Sequence, residues 1–272
     1  MKENDISLIM RELGICILIP AYNCEQSIAA VVQSVLQYTA DVIVVNDGST
    51  DNTENRLTSF GENIVLLSYK TNKGKGYALK QGFYEAKKRG FSYVITIDSD
   101  GQHLAEDIPV FVDAISLYPN TLIIGARSFN HPNMPDGSIF ANKFSNFWFT
   151  LQTAHKLPDT QSGYRLYPLK KMGKMRPLTH RYEAELELLV RCAWRRIGIK
   201  SVSIQVFYPE KEKRISHFRP KKDFFRISVL NTVLCLLSVI YGYPSMLIQR
   251  FLPHNRHLLN QILCSCIFIN NK

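Results

Sequence analysis

Asp98 and Asp100 stand in the run Asp-Ser-Asp-Gly-Gln-His over residues 98–103, and their spacing suits a metal ion. They follow Tyr93-Val94-Ile95-Thr96-Ile97, an apolar, β-branched run that reads as a buried strand. Side chains alternate along a strand, so the spacing predicts both carboxylates on one side of its end, about 7 Å of backbone apart. Two converging carboxylates suit a hard divalent cation, which takes oxygen ligands and shares them with phosphates. An acidic turn after a strand is the plainer reading of the same residues.

A second acidic position lies in Asn46-Asp47-Gly48, after the apolar run Val42–Val45. The Asp47 carboxylate can accept hydrogen bonds from the N–H edge of uracil or guanine, or serve as an ordinary turn aspartate. Gly48 permits a tight turn behind it, and Asp51 is placed to cap the helix that follows. Pro20-Ala21-Tyr22-Asn23 ends another apolar run, where Tyr22 could stack on a base. Asn72-Lys73-Gly74-Lys75-Gly76 opens a helix; free N–H groups and two lysines there favour an anion, without the spacing of a P-loop.

The elements that must position these residues alternate along the chain. Strands are expected at Ile15–Ile19, Val42–Val45, Ile64–Ser68, Tyr93–Ile97 and Leu122–Gly125, with a further one over Lys200–Phe207. Helices are expected at Glu25–Gln37, Asp51–Ser59, Gly76–Arg89, Ala105–Leu117 and Tyr182–Arg196. In the first of these, Ile28, Val31, Val32, Val35 and Leu36 form one apolar stripe. Such alternation predicts an α/β fold, a mostly parallel sheet with helices on both faces, whose ligands sit at the carboxyl ends of the strands. Residues 127–137 are rich in breakers and read as a mobile loop. Phe140, Phe144, Phe147, Trp148 and Leu151 then recur at helical spacing, as a core face or as the border of a lipid or acceptor groove.

The net charge of +10 is unevenly spread: residues 1–168 carry −3 and residues 169–272 carry +13. That asymmetry suits an anionic membrane surface or phosphate-bearing substrates, and none of the nucleic-acid-binding motifs is present. The six cysteines form no zinc or disulfide pattern, which fits a reducing compartment, and residues 1–12 do not read as a signal peptide. Residues 227–249 hold no charged side chain and would be about 34 Å long as a helix, enough to cross a bilayer. Lys221, Lys222, Arg226 and Arg250 flank this stretch, while Asn231, Thr232, Ser238 and Pro244 interrupt it. A span, a surface-lying helix and a core or dimer helix all remain open.

Taken together, these motifs resemble glycosyltransferase family 2, the inverting nucleotide-sugar transferases with a GT-A fold. The resemblance runs through Ile17–Asn23, Val44–Asp51, Asn72–Leu79, Asp98–His103 and Asp159-Thr-Gln-Ser-Gly-Tyr-Arg165, in the family's order. Residues 98–103 and Ser162-Gly163-Tyr164-Arg165 are most similar to the polyprenyl-phosphate mannosyl- and glucosyltransferases. The resemblance implies a Rossmann-like GT-A domain over residues 1–210. Residues 211–272 would then be a basic linker and apolar helical segment, associated with the cytoplasmic face of a membrane.

It also implies roles. Asp47 would hold the base, with Pro20, Tyr22 and Glu25 lining the nucleotide pocket and Lys75 and Asp98 on the donor. Asp98, Asp100 and Gln102 would surround Mg²⁺ or Mn²⁺, with Arg127, Arg165 and Lys75 assisting the leaving diphosphate. A phosphate acceptor needs no general base, whereas a hydroxyl acceptor does. The candidates for that base are Asp159, Glu183 and Glu185, with Asp159 preferred because it opens its motif. Arg214 and Arg219 could bind an acceptor phosphate, although the stretch 214–222 lacks the Gly and Ser-Lys pair of the lipid-phosphate subgroup.

The expected reaction is transfer of a single sugar from a UDP- or GDP-sugar to a lipid-linked or membrane-proximal acceptor. Polyprenyl phosphate and a hydroxyl of a cell-surface glycan or glycolipid both stay open as acceptors. A sugar-nucleotide pyrophosphorylase would need a Gly-rich loop where Pro20–Asn23 stands, and a dehydrogenase would need Gly-x-Gly-x-x-Gly there. A non-catalytic protein that binds a nucleotide sugar or lipid is the rival from another class.

Overall fold

The computed structural model describes residues 3–128, 137–208 and 220–251. Seven strands form one sheet: β1 (Ile15–Ala21), β2 (Val42–Asn46), β3 (Val65–Ser68), β4 (Tyr93–Thr96), β5 (Leu122–Arg127), β6 (Arg165–Pro168) and β7 (Ile199–Ile204). Their order is β3-β2-β1-β4-β6-β5-β7, parallel except for β6, which runs antiparallel to both of its neighbours.

Strand β1 explains why the sheet is buried on both sides. All seven of its residues are buried. Ile15, Ile17 and Ile19 enter one core while Cys16 and Leu18 enter the other, as strand alternation requires. The first core is closed by α1 (Glu3–Leu13), α2 (Ile28–Leu36), α3 (Thr53–Thr58) and α5 (Ile108–Leu117). The second is closed by α4 (Lys75–Lys88), α6 (Ser138–Thr153), α7 (Leu169–Met172), α8 (Glu183–Trp194) and α9 (Pro220–Leu237). A π-helical turn, Ser238–Gly242, leads from α9 into α10 (Tyr243–Phe251).

Three elements depart from the sequence expectation. Strand β6 is too short to show a period, and it carries Arg165 and Pro168, yet all four of its residues are buried. Helix α1 covers a segment that carried no expected element; Ile6 and Met10 bury themselves in the first core. Strand β4 stops at Thr96, so Ser99 and Asp100 occupy a turn and strand alternation does not set their directions. The loop expected over residues 127–137 falls mostly on residues outside those described.

Helix α4 approaches β1 closely because Gly82 faces it. A Cβ there would lie 2.2 Å from Leu18 Cδ1. Gly82→Ala is expected to destabilise the protein by about 1–3 kcal/mol through overpacking. Adding Leu18→Val, which removes volume at the clash, should return part of that loss in urea denaturation. Additive losses would contradict this account of the contact.

Candidate functional site

The adjacent strands β2, β1 and β4 end side by side, and the residues beyond their tips build the site. The Asp47 N–H donates to the Ala21 carbonyl at 2.8 Å, joining the ends of β2 and β1. The Asp47 carboxylate then accepts the backbone N–H of Lys73 at 2.9 Å and of Gly74 at 2.6 Å. Burial raises its proton affinity, with these two N–H groups acting in the opposite sense.

This arrangement depends on two glycines. Gly48 has φ +69°, and a Cβ there would lie 2.4 Å from the Thr71 carbonyl carbon. Gly74 has φ +100°, and a Cβ would lie 2.3 Å from the His180 oxygen. Both positions combine a left-handed backbone with a backbone neighbour that cannot yield.

Helix α4 begins one residue later. Lys75 Nζ reaches Asp98 Oδ1 at 2.5 Å and Glu185 Oε2 at 3.0 Å. Three consecutive residues, Lys73, Gly74 and Lys75, therefore tie the carboxylate beyond β2 to the carboxylate beyond β4. The backbone of Gly163 lies against the same group, where a Cβ would come within 3.0 Å of Asp98, Lys75 and Glu185 together. His103 Nδ1 is 3.6 Å from Asp98 Oδ2, and neither it nor Glu185 Oε1 has a hydrogen-bond partner among the described residues.

The electrostatics follow from these neighbours. Burial acts to raise the Asp98 pKa, but Lys75, with His103 and Arg127, outweighs it and holds the carboxyl below its ordinary value. Asp100 is pushed up to about 6, by burial and then by the charge of Asp98. The two carboxylates therefore lie within each other's field. Burial also lowers His103 to about 4, leaving it neutral at pH 7.

Among the described residues no group of three or more His, Cys, Asp or Glu side chains is gathered as a metal cage. Two mutually repelling carboxylates instead fit a hard cation that draws its remaining oxygens from a bound phosphate and water. The Asp98–Asp100 pair is thus compatible with Mg²⁺ or Mn²⁺ in partnership with a diphosphate.

The remaining expected residues divide into those at the crevice and those inside the protein. Tyr22 is half-buried just beyond β1, while Pro20 is buried within that strand opposite Val45. Glu25 accepts the Asn52 N–H at 2.8 Å, and Asp51 accepts those of Glu25 and Thr53 at 3.2 and 3.0 Å. Both carboxylates thereby fasten the start of α3. Gln102 donates its backbone N–H to Asp100 Oδ1 at 3.0 Å and accepts from Phe207 at 2.8 Å.

Asp159 and Arg165 are placed differently from what was expected. Asp159 is fully buried and paired with Arg127 through Nε at 2.6 Å and Nη2 at 3.1 Å. It also accepts the backbone N–H groups of Arg127, Gln161 and Ser162. A carboxylate so engaged anchors its turn and is a poor general base. Arg165 is fully buried as well, donating to the carbonyls of Thr160, Ser162 and Glu185. Its guanidinium holds the loop before β6 to α8 instead of reaching toward a leaving group.

Of the two other candidate bases, Glu185 faces Lys75, and Glu183 is half-buried with no hydrogen-bond partner for Oε2 among the described residues. The approach of Glu185 to Asp98 is long-range and had no local signal in the sequence. His103 lay within the acidic motif but carried no expected role of its own. Arg214 and Arg219 lie outside the described residues.

Residues 16–170 match the family model described as Glycosyl transferase family 2, more than half of the chain. The chain belongs to glycosyl transferase family 2. It is a glycosyltransferase with a GT-A fold. Among curated relatives it is 29% identical over 222 residues to the UDP-N-acetylglucosamine–dolichyl-phosphate N-acetylglucosaminyltransferase of Methanococcus voltae, covering 74% of this chain and 88% of that one. It is 27% identical over 214 residues to the polyprenol monophosphomannose synthase of Mycolicibacterium smegmatis, covering 74% and 79%. Among solved structures, glucosyl-3-phosphoglycerate synthase from Mycobacterium tuberculosis, in complex with Mn²⁺, UDP-glucose and phosphoglyceric acid, superposes with a TM-score of 0.65. The identity is 20%, and 88% of this glycosyltransferase and 84% of that chain are covered.

The Asp159–Arg127 pair gives a test of its structural role. Burial opposes ionisation of Asp159, but Arg127 and the backbone N–H groups outweigh it and hold the carboxyl below its ordinary value. Its stabilisation is therefore complete above the unfolded pKa of about 3.9 and is lost as pH falls through the lower folded value. Asp159→Asn should cost about 3 kcal/mol at neutral pH, because it removes the buried carboxylate charge that pairs with Arg127. In urea denaturation the difference from the native protein should shrink below about pH 4.

Proposed function

We propose that this glycosyltransferase moves a single sugar, with inversion, from a UDP- or GDP-linked donor to a polyprenyl phosphate at the cytoplasmic face of a membrane. The observation that carries the proposal is the double tie of residues 73–75 to Asp47 and Asp98. It brings a base-recognition carboxylate, a lysine and a metal-compatible carboxylate into one continuous arrangement at the strand ends.

In this proposal Asp47 reads the base, since its two oxygens retain lone pairs for a ring N–H after accepting Lys73 and Gly74. Tyr22 and Glu25 border the nucleotide. Asp98 and Asp100, with Gln102 beside them, hold Mg²⁺ or Mn²⁺, which when bound neutralises charge on the donor diphosphate as the sugar–phosphate bond breaks. Lys75, steadied by Glu185, presents its ammonium to the same phosphates, and Arg127, oriented by Asp159, adds a second cation.

The acceptor class rests on the relatives named for dolichyl phosphate and polyprenol and on the state of Asp159. A phosphate oxygen is already anionic, so an anchored Asp159 is no obstacle to its attack. Residues 1–210 would form the transferase domain. Residues 211–272, including Arg214 and Arg219, would meet the membrane and the acceptor phosphate.

Asp98→Ala and Asp100→Ala should each lower sugar transfer on the order of 100-fold or more. Full activity in both variants would rule out the metal role. In a thermal-shift series, UDP- or GDP-sugar with Mn²⁺ should raise the melting temperature of the native protein, because ligand binds only the folded state. The shift should disappear in Asp98→Ala, and a nucleotide-sugar shift that ignores Mn²⁺ would count against the donor geometry.

A further inference from the structure

Helices α6 and α9 bury polar side chains and expose large apolar ones, beside a few apolar residues that enter the core. The side of α6 turned into the protein carries Asn142, Ser145, Gln152 and Thr153, all buried, beside Phe149. Its outer side carries Phe140 and Phe147, which are 70% and 60% exposed. Along α9 and the π-turn, Asn231 and Ser238 are buried, while Phe225, Leu236, Val239 and Ile240 are each at least 63% exposed. An ordinary amphipathic helix buries its apolar stripe and shows its polar one. The two helices meet where the Phe144 and Phe224 rings lie 5.8 Å apart, and water is a poor partner for the apolar side chains exposed on either side, among which Lys143 is the exposed charge on α6.

The stretch Asp223–Ile248 is long and apolar enough to cross a bilayer, and only 22% of its most apolar 18-residue window is buried. Yet it is fastened to the transferase domain along its length. Asn231 Oδ1 accepts from Gln152 of α6 at 3.0 Å, Ser245 donates to the Trp194 carbonyl at 2.9 Å, and Tyr243 donates to the Leu151 carbonyl at 2.5 Å. Gly242 packs against the Trp194 indole so closely that a Cβ would lie 2.5 Å from Nε1. These attachments run over the fifteen residues from Asn231 to Ser245, about 21 Å of helix. A helix crossing the bilayer along that length would drag α6 and α8 into hydrocarbon with it.

From this geometry we infer that α6, α9 and α10 lie together in the plane of one lipid leaflet, apolar side down, as a monotopic platform. The occupant of the apolar surface is an anionic bilayer. In the sequence, residues 211–226 carry seven Lys and Arg against two acidic residues, a composition that favours an anionic partner. Embedding α6 also sets the position of the crevice. Its Asn142 and Asn146 side chains donate to the Pro158 carbonyl at 2.8 and 2.9 Å, beside the Asp159 that pairs with Arg127. The inference deepens the membrane placement proposed above, and its test needs neither donor nor acceptor.

The test uses the full chain and vesicles of phosphatidylglycerol and phosphatidylcholine. In flotation the native protein should rise with anionic vesicles. The variant Phe147→Ser, Phe225→Ser, Leu236→Ser, Ile240→Ser should lose at least tenfold in vesicle affinity. Thermal melting should remain cooperative, since all four side chains point outward. Vesicle binding unchanged by these substitutions, or a dimer that ignores vesicles and dissociates in the variant, would overturn the inference.

Orientation is read separately from Phe225→Trp and Ile240→Trp, each measured over the native Trp148 and Trp194 emission. Lipids brominated near the headgroup should quench both added residues more than lipids brominated deep in the chain. One shallow and one deep residue would mean a span and defeat the in-plane arrangement. No vesicle binding by the native protein, with its nucleotide-sugar thermal shift intact, would separate failure here from failure of the transferase proposal.

Discussion

Two acidic side chains from different strand ends, Asp47 buried and Asp98 half-buried, share one short piece of backbone, and the rest of the site is arranged around that fact. Asp47 takes the N–H groups at positions 73 and 74, and Asp98 takes the ammonium of the next residue. A carboxylate away from water is costly unless it is hydrogen-bonded or paired. The start of α4 meets both needs at once, using main-chain donors for one carboxylate and a side chain for the other. Gly48 and Gly74 are there because the backbone passes too close to its neighbours for any side chain.

A second layer holds this arrangement in place without entering the crevice. Arg165 gathers three carbonyls behind the sheet and fixes the loop preceding β6 against α8, the helix that delivers Glu185 to Lys75. Asp159 does the same for its own turn and orients Arg127. Both residues belong to a motif that resemblance had associated with chemistry. The geometry gives that motif a supporting role, in which two buried charges are matched by partners close in space.

Much of the architecture was legible because it repeats. The alternation of β1 between two cores, the stripe on α2 and the acidic residues following β2 and β4 are all local patterns. What escaped was non-local or too short to have a period. The four residues of β6 look unlike a strand until they are seen wedged antiparallel between β4 and β5. Glu185 reaches Asp98 through Lys75 across most of the domain's sequence. The aromatic spacing on α6 identified a helix correctly but left open which side faced inward, since periodicity reports a face and not its surroundings. Asn142, Ser145 and Gln152 on the opposite side supply the answer, because they find partners in the protein interior.

The π-turn at Ser238–Gly242 has a bearing on how this surface can vary. Each residue added to or removed from a helix rotates everything beyond it by about 100°. The wider turn sets the angular offset at which Tyr243 and Ser245 meet Leu151 and Trp194 after Asn231 has already met Gln152. Residue identity on the outer side is therefore loosely constrained, any greasy side chain serving nearly as well as another. Chain length through the turn is not: a single-residue deletion there would swing α10 out of phase with its anchors and turn Ser245 and Tyr243 outward.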